Sequence, residues 1–166
     1  MQASLRSVWR RSRFEDMGIK VLAVASGGGH WEQLLRLRAA FDQFDTRYVT
    51  TDPALGWREG IEDVLSIPDS NRNGPVAALR TMWCAFALVL RHRPEVIVST
   101  GAFPGLACLI AGRVLGRRTV WIDSIANSEE LSASGRMARY FATLRVTQWQ
   151  HLANPDQGLY FLGAVI

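Results

Sequence analysis

Cysteine is scarce in this chain. Its 166 residues hold two, Cys84 and Cys108, each within an apolar run and neither at metal-ligand spacing from a second Cys or His. That argues against a disulfide scaffold and against a zinc site. With no secretory signal pattern, the two read as small buried hydrophobes in a reducing compartment. Long apolar runs are missing too. The strongest, Val76 to Leu90, is interrupted by Arg80 and falls short of the ~20 residues that cross a bilayer. Acidic residues are absent from positions 1–13, which carry Arg6, Arg10, Arg11 and Arg13. Without those four arginines the chain has 15 basic and 15 acidic residues, so its body is neutral and lacks the basic face of a nucleic-acid-binding domain. Familiar catalytic signatures are absent: no G-x-x-x-x-G-K-[ST] phosphate loop, no G-x-G-x-x-G fingerprint and no G-x-S-x-G elbow. Nor is there an Asp-x-Asp pair of the kind that carries a metal-bound sugar nucleotide.

What is present describes a core-forming globular chain, 48% hydrophobic and 20% charged, of single-domain size. Residues 1–17 read as a basic extension and residues 18–166 as one domain. The extension has two readings, a segment attracted to anionic lipid or a disordered stretch ahead of a start at Met17-Gly18.

Apolar and β-branched runs alternate with helical patterns. Ile19 to Ala25 is continuously apolar after Lys20, as in a strand buried on both faces. Trp31 to Phe41 has helical spacing at Leu34, Leu35, Leu37 and Phe41. Thr46 to Thr51 reads as a second strand and Asp63 to Ile67 as a short third. Between them, Asp52-Pro53 and Gly56 read as a loop. Pro75 to His92 is a long helix with proline at its start. Glu95 to Ser99 is a fourth strand, Leu106 to Leu115 a helix, and Arg118 to Ile122 a fifth strand. Glu129 to Tyr140 follows as a helix, Leu144 to Thr147 as a strand, and a last short strand lies in Leu159 to Ile166. No repeat at solenoid periods occurs. The expected fold is α/β: a single Rossmann-like domain, an open and mostly parallel sheet with helices on both faces. The helix at 75–92 fits either a core position or a membrane interface, where Arg80 and Trp83 would suit the headgroup zone.

In such sheets ligands bind at the carboxyl ends of the strands. Three strand-to-helix turns should meet there: Ser26-Gly27-Gly28-Gly29-His30, Ser99-Thr100-Gly101-Ala102-Phe103-Pro104-Gly105, and Asp123-Ser124-Ile125-Ala126-Asn127-Ser128-Glu129. The glycines let backbone approach a ligand, and the first helical N–H groups favour an anion. His30, at the mouth, titrates near neutrality. Each residue also has a structural reading. Gly101 and Gly105 suit tight turns. Asp123 or Ser128 could cap the following helix, with Glu129 as an early-turn acid. His30 could be a surface residue at a helix start.

The three turns, in this order and spacing, resemble the acceptor-side subunits of bipartite GT-B glycosyltransferases. PssD-type polysaccharide biosynthesis proteins of bacteria are similar. So are the membrane-anchoring subunit of the enzyme that adds the second N-acetylglucosamine to dolichol-linked precursors and the N-terminal domain of MurG. The resemblance covers about residues 18–166. It implies the N-terminal half of a GT-B fold, ending about where a linker to the second half would begin. The implied partner is a separate donor-binding GT-B half that holds the UDP-sugar, and the implied substrate is a polyprenyl-diphosphate-linked saccharide. No cofactor and no metal are implied.

Carried onto this chain, the resemblance puts Gly27, Gly28 and Gly29 against the acceptor or donor phosphates, with Ser26 beside them. It puts His30 near the attacking hydroxyl as a general base, with Glu129 as a second candidate. Thr100, Gly101, Asp123, Ser124 and Asn127 would line the cleft or the partner interface. The eukaryotic subunits carry an N-terminal transmembrane helix and this sequence shows none. Attachment would then be peripheral, through residues 1–13 or the helix at 75–92, on the cytoplasmic face of the inner membrane. The expected function is the acceptor-binding, membrane-associating half of a metal-independent glycosyltransferase of exopolysaccharide or capsule assembly, inactive alone. Two other readings stay open: a non-catalytic scaffold that docks the donor-binding subunit, and a stand-alone nucleotide-binding domain.

Overall fold

In the computed structural model, which describes residues 18–70 and 74–164, β1 (Lys20–Ala25) runs through the middle of the domain with five consecutive buried residues. A strand buried on both faces needs apolar residues at every position rather than at alternate ones. Seven parallel strands form one sheet in the order β3-β2-β1-β4-β5-β6-β7. The others are β2 (Asp45–Thr50), β3 (Leu65–Ser66), β4 (Val96–Ser99), β5 (Arg118–Ile122), β6 (Leu144–Thr147) and β7 (Leu159–Phe161). The helices are α1 (Gly29–Arg36), α2 (Arg38–Phe41), α3 (Pro53–Arg58), α4 (Pro75–His92), α5 (Ala102–Val114) and α6 (Ala133–Ala138). Neighbouring strands stay in register, with Val24 beside Val49 on one side and Ser99 on the other.

The alternation of side chains along β1 divides the core in two. Leu22 and Val24 join Ala85 and Val89 of α4, Leu106 and Leu109 of α5, and Trp121 of β5. Val21, Ala23 and Ala25 join Trp31 and Leu34 of α1, Phe41 of α2 and Tyr48 of β2. Helices thus cover both faces of the sheet, which is the expected Rossmann-like arrangement. Each fully buried Leu or Ile contributes about 1.5–3 kcal/mol of apolar transfer, and Leu22, Leu34, Ile97, Leu106 and Leu109 are all fully buried. Cys108 is fully buried in the first of these clusters and Cys84 is half-buried against it; both are free thiols.

Four local readings change. The stretch expected as a loop at Asp52-Pro53 begins helix α3. Asp52 caps it, accepting from the Ala54 N–H at 3.1 Å, with Pro53 in its first turn. The same Asp-Pro chemistry that makes turns also starts helices. The second turn closes earlier than expected, because Phe103, Pro104 and Gly105 already belong to α5. The helix expected from Glu129 begins at Ala133, capped by Ser132, and ends at Ala138. The pattern from Trp31 to Phe41 breaks at Leu37 into α1 and α2. The basic extension at 1–17 lies outside the described residues.

The long helix α4 has two distinct faces. Thr81, Ala85 and Val89 are buried against the sheet. Val76, Leu79, Trp83 and Leu90 are 57–79% exposed on the opposite side. The core reading therefore holds for one face, and the other is left uncovered.

Candidate functional site

The three turns leave β1, β4 and β5 at their carboxyl ends, on adjacent strands of the parallel sheet. They are tied to one another by long-range hydrogen bonds. His30, in the first turn of α1, has Nδ1 3.1 Å from the Thr100 carbonyl oxygen. A carbonyl only accepts, so Nδ1 carries the proton and Nε2 keeps its lone pair. Thr100 returns the contact, donating Oγ1–H to the His30 carbonyl at 2.7 Å. Gly101 then passes directly against the imidazole, with φ 151° and no room for a Cβ. Burial pushes the His30 pKa down, and the Thr100 carbonyl and the Asp123 carboxylate partly offset that. Its neutral form is therefore favoured at neutral pH.

The glycine turn is built for exposure. Gly28 has φ 74° and caps α1 through its carbonyl, which accepts from the Trp31 and Glu32 N–H groups. Gly27 is held by its N–H to Thr51 Oγ1 at 2.9 Å, which joins this turn to the end of β2. Ser26 is buried and its hydroxyl reaches only the neighbouring Gly27 carbonyl. Gly28 and Gly29 are exposed at the helix start, where first-turn N–H groups lack intrahelical acceptors.

Asp123 lies under the third turn, 1% exposed. Its Oδ1 accepts from Trp121 Nε1 at 3.0 Å and Ser132 Oγ at 2.8 Å. Its Oδ2 accepts from Asn127 Nδ2 at 3.1 Å and the Ser132 N–H at 3.3 Å. Four donors occupy the carboxylate, as a buried charge requires. The side chain organises the turn: it fixes Asn127, and through Ser132 it sets where α6 begins. Ser124 is buried, with its hydroxyl accepting from the Ala126 N–H. Glu129 stands apart from this network, exposed in the loop ahead of α6 and not in a helical turn.

Residues outside the sequence-based set complete the assembly. Gln33, buried one turn beyond His30, donates Nε2–H to the Asp123 carbonyl and accepts from the Ile125 N–H, both at 3.3 Å. Gln148, just past β6, donates to the same Asp123 carbonyl at 3.0 Å. Trp149 Nε1 donates to the Ile125 carbonyl at 2.8 Å. A polar residue on the apolar stripe of α1 was the one sequence signal for Gln33. The position of Gln148 after a strand's carboxyl end was the signal for that residue. A fourth turn, after β6, thereby joins the rim.

A parallel sheet in 3-2-1-4-5-6-7 order, with helix-starting turns collected at one edge, defines the chain as a Rossmann-like domain of the kind found in GT-B glycosyltransferases. Acinetobacter baumannii MurG superimposes with a TM-score of 0.68 at 14% identity, over 82% of this chain and 43% of that one. UDP-N-acetylglucosamine 2-epimerase from Rickettsia bellii does so with a TM-score of 0.68 at 12% identity, over 89% of this chain and 45% of that one. At those identities the likeness is one of fold.

Sequence comparison is more specific. Residues 61–165 match the family model described as oligosaccharide biosynthesis protein Alg14 like, and the chain belongs to that family. The UDP-N-acetylglucosamine transferase subunit ALG14 of Mus musculus is 30% identical over 95 residues, 52% of this chain and 42% of that protein. The protein of the same description from Eremothecium gossypii is 29% identical over 178 residues, 88% of this chain and 80% of that protein. The chain thus spans under half the length of the mouse relative and of MurG. Among the described residues, no helix is long and apolar enough to cross a membrane.

Proposed function

We propose that this chain is the acceptor-binding, membrane-associating subunit of a two-component glycosyltransferase. It works with a separate donor-binding GT-B half that holds a UDP-sugar, and the pair transfers the sugar to a polyprenyl-diphosphate-linked saccharide. The setting is exopolysaccharide or capsule assembly at the cytoplasmic face of the inner membrane. Family membership and the UDP-N-acetylglucosamine transferase subunits among the relatives support the reaction class. The observation that carries the site is the reciprocal clasp of His30 and Thr100, which joins two turns at the rim and leaves an imidazole with a free Nε2 lone pair.

On this reading the acceptor hydroxyl attacks the anomeric carbon of the UDP-sugar. The new carbon–oxygen bond forms as the bond to the UDP phosphate oxygen breaks. The hydroxyl proton passes to His30 Nε2, and UDP leaves with the partner subunit. The Thr100 carbonyl holds the tautomer, and the buried Asp123 carboxylate favours the imidazolium that forms. The amides at Gly28 and Gly29 suit the diphosphate of the acceptor. Asp123 and Asn127 shape the rim, since their side chains are engaged with each other. Glu129 is the weaker candidate for the base because it is exposed and outside the hydrogen-bonded rim. The domain is the acceptor half of a cleft, so the chain alone is inactive.

The test is a transfer assay on the chain, on its donor-binding partner and on the co-purified pair, with a polyprenyl-diphosphate saccharide as acceptor. Turnover is expected from the pair alone. His30→Ala should lower it by about 10²–10⁴-fold with the assembly intact, the usual contribution of a general base. Turnover by the chain on its own would overturn the two-component reading. Unchanged turnover in the His30→Ala pair would leave a docking scaffold in its place.

A further inference from the structure

Gln33 is a buried polar side chain that no step of the transfer uses. It stands one helical turn past His30 on α1, between Trp31 and Leu34, which seat that helix on the sheet. It is 4% exposed. An amide buried there is costly unless both of its ends find partners. Both do, on the third turn. Nε2–H donates to the Asp123 carbonyl and Oε1 accepts from the Ile125 N–H, each at 3.3 Å. A carbonyl only accepts and an N–H only donates, which fixes the orientation of the amide. One planar group thus serves two backbone groups two residues apart. A residue in a parallel ladder bonds its neighbouring strand with that same spacing.

The reach of this side chain matters. In the sheet, β4 and its turn stand between β1 and β5. His30 and Thr100 join the first turn to the second, and Gln33 passes the second to grip the third. From the far side, Gln148 donates to the same Asp123 carbonyl at 3.0 Å and Trp149 Nε1 to the Ile125 carbonyl at 2.8 Å. His151 Nε2–H donates to the Ser128 carbonyl at 2.7 Å. The third turn is held between α1 on one side and the residues after β6 on the other. The Asp123 carboxylate cannot do this work, since Trp121, Asn127 and Ser132 fill it. Nor can the imidazole Nδ1, which is engaged with Thr100.

We propose that Gln33 is a positioning residue for sugar transfer: its amide locks α1 to the third turn and so sets where His30 stands relative to Asp123 and residues 124–128 before the acceptor arrives. The proposal rests on the reading of His30 as the base. The chemistry it needs is specific. A primary amide offers a donor and an acceptor on one head, whereas an apolar side chain of the same size would fill the space and join nothing. Catalytic groups held by such supporting bonds need no rearrangement when the reaction occurs. The loss on removing the lock therefore falls on kcat and not on binding of the UDP-sugar, which the partner subunit holds.

Gln33→Met keeps the length and helix preference of the side chain and removes both bonds. In the assembled transferase it should lower kcat by about 10–10²-fold, the scale of a small misplacement, with KM for the UDP-sugar unchanged. In the His30→Ala background the same substitution should cost about twofold or less, because residues that act as a unit are not additive. A merely structural role would cost the same factor in both backgrounds, and equal losses overturn the proposal. If His30→Ala leaves turnover unchanged, the reading of His30 fails by itself, and the lock is judged on the full chain without any transfer. There, NMR of the wild type should show contacts between the Gln33 side-chain amide protons and the Ile125 N–H. In Gln33→Met the Trp149 indole N–H should shift and exchange faster, while that of the exposed Trp57 stays as it was. Absence of the wild-type contacts, or an unaltered Trp149 signal in the variant, overturns the lock.

Discussion

Replacing Gly101 by alanine tests the clasp between the first two turns. Two penalties arise at this position. The backbone at φ 151° lies in a region that is essentially glycine-only, which costs about 1–3 kcal/mol. A Cβ there would also overlap the His30 ring, and crowding of that kind costs about 1–3 kcal/mol. If the ring swings away to make room, it gives up the bond to the Thr100 carbonyl, worth about 1 kcal/mol. The expected loss is about 3–5 kcal/mol, a severe effect for one methyl group. Gly28→Ala is the matched control: φ 74° and ψ −143° carry a similar backbone strain of about 1–3 kcal/mol, but a Cβ there meets nothing within 4 Å, so the crowding cost is absent. In urea, with a slope of roughly 2 kcal/mol/M, the Gly101→Ala midpoint should fall by roughly 2 M and the Gly28→Ala midpoint by roughly 1 M. In the assembled transferase, Gly101→Ala should lose about 10²-fold in turnover through misplacement of His30. Equal midpoints for the two variants would refute the claim that Gly101 is required by the imidazole.

Asp123→Asn puts an amide where four donors converge. It should cost about 2–4 kcal/mol, with faster hydrogen exchange in residues 123–135, and slow exchange there would count against the hub. Stability should also fall on acidification. His30 and His92 both have pKa values below 6.5 in the native state, so the unfolded chain binds protons more readily as pH falls from 6.5 toward those values. The stabilisation present above pH 6.5 is lost in that window. His30→Gln should remove part of the difference between urea midpoints at about pH 7.5 and pH 5.5; an unchanged difference would exclude a His30 contribution. The same depression places the acid limb of kcat/KM for the transferase below pH 6.5 if His30 is the base. Burial pushes the Cys108 thiol up to about 12, so a thiol reagent should label Cys84 alone in the native protein and both cysteines in denaturant.

The sequence went furthest where side-chain period speaks directly. Arg118–Ile122 and Leu144–Thr147 were legible to the residue, because short β-branched runs sit between turn signals. Pro75–His92 was legible because proline opens it and Pro94 stops it; the structure adds a left-handed Arg93 between the helix and that proline. Failures came where one local signal serves two structures. Asp52-Pro53 is a turn signature and also a helix start, and the choice was made by the hydrogen bond to Ala54. The start of α6 had a weak local signal, a serine of the kind that caps helices, three residues beyond the expected start. Ser132 is fixed by Asp123, nine residues earlier, and no Glu or Gln follows three residues on to complete a capping box.

By itself, the order of apolar, glycine-rich and helical segments determined a parallel α/β sheet and the three turns at its carboxyl edge, since burial on both faces and helix starts are properties of neighbouring residues. Only tertiary structure decided which groups those turns leave free. His30 meets Thr100 across 70 positions and Gln33 meets Asp123 across 90. Such bonds left Asp123 saturated and His30 with an open nitrogen. The tertiary structure also decided that α4 would be core on one side and bare on the other, because which face of a helix is covered depends on the elements packed against it. Local sequence sets the stripe, but distant chain segments supply or withhold its cover.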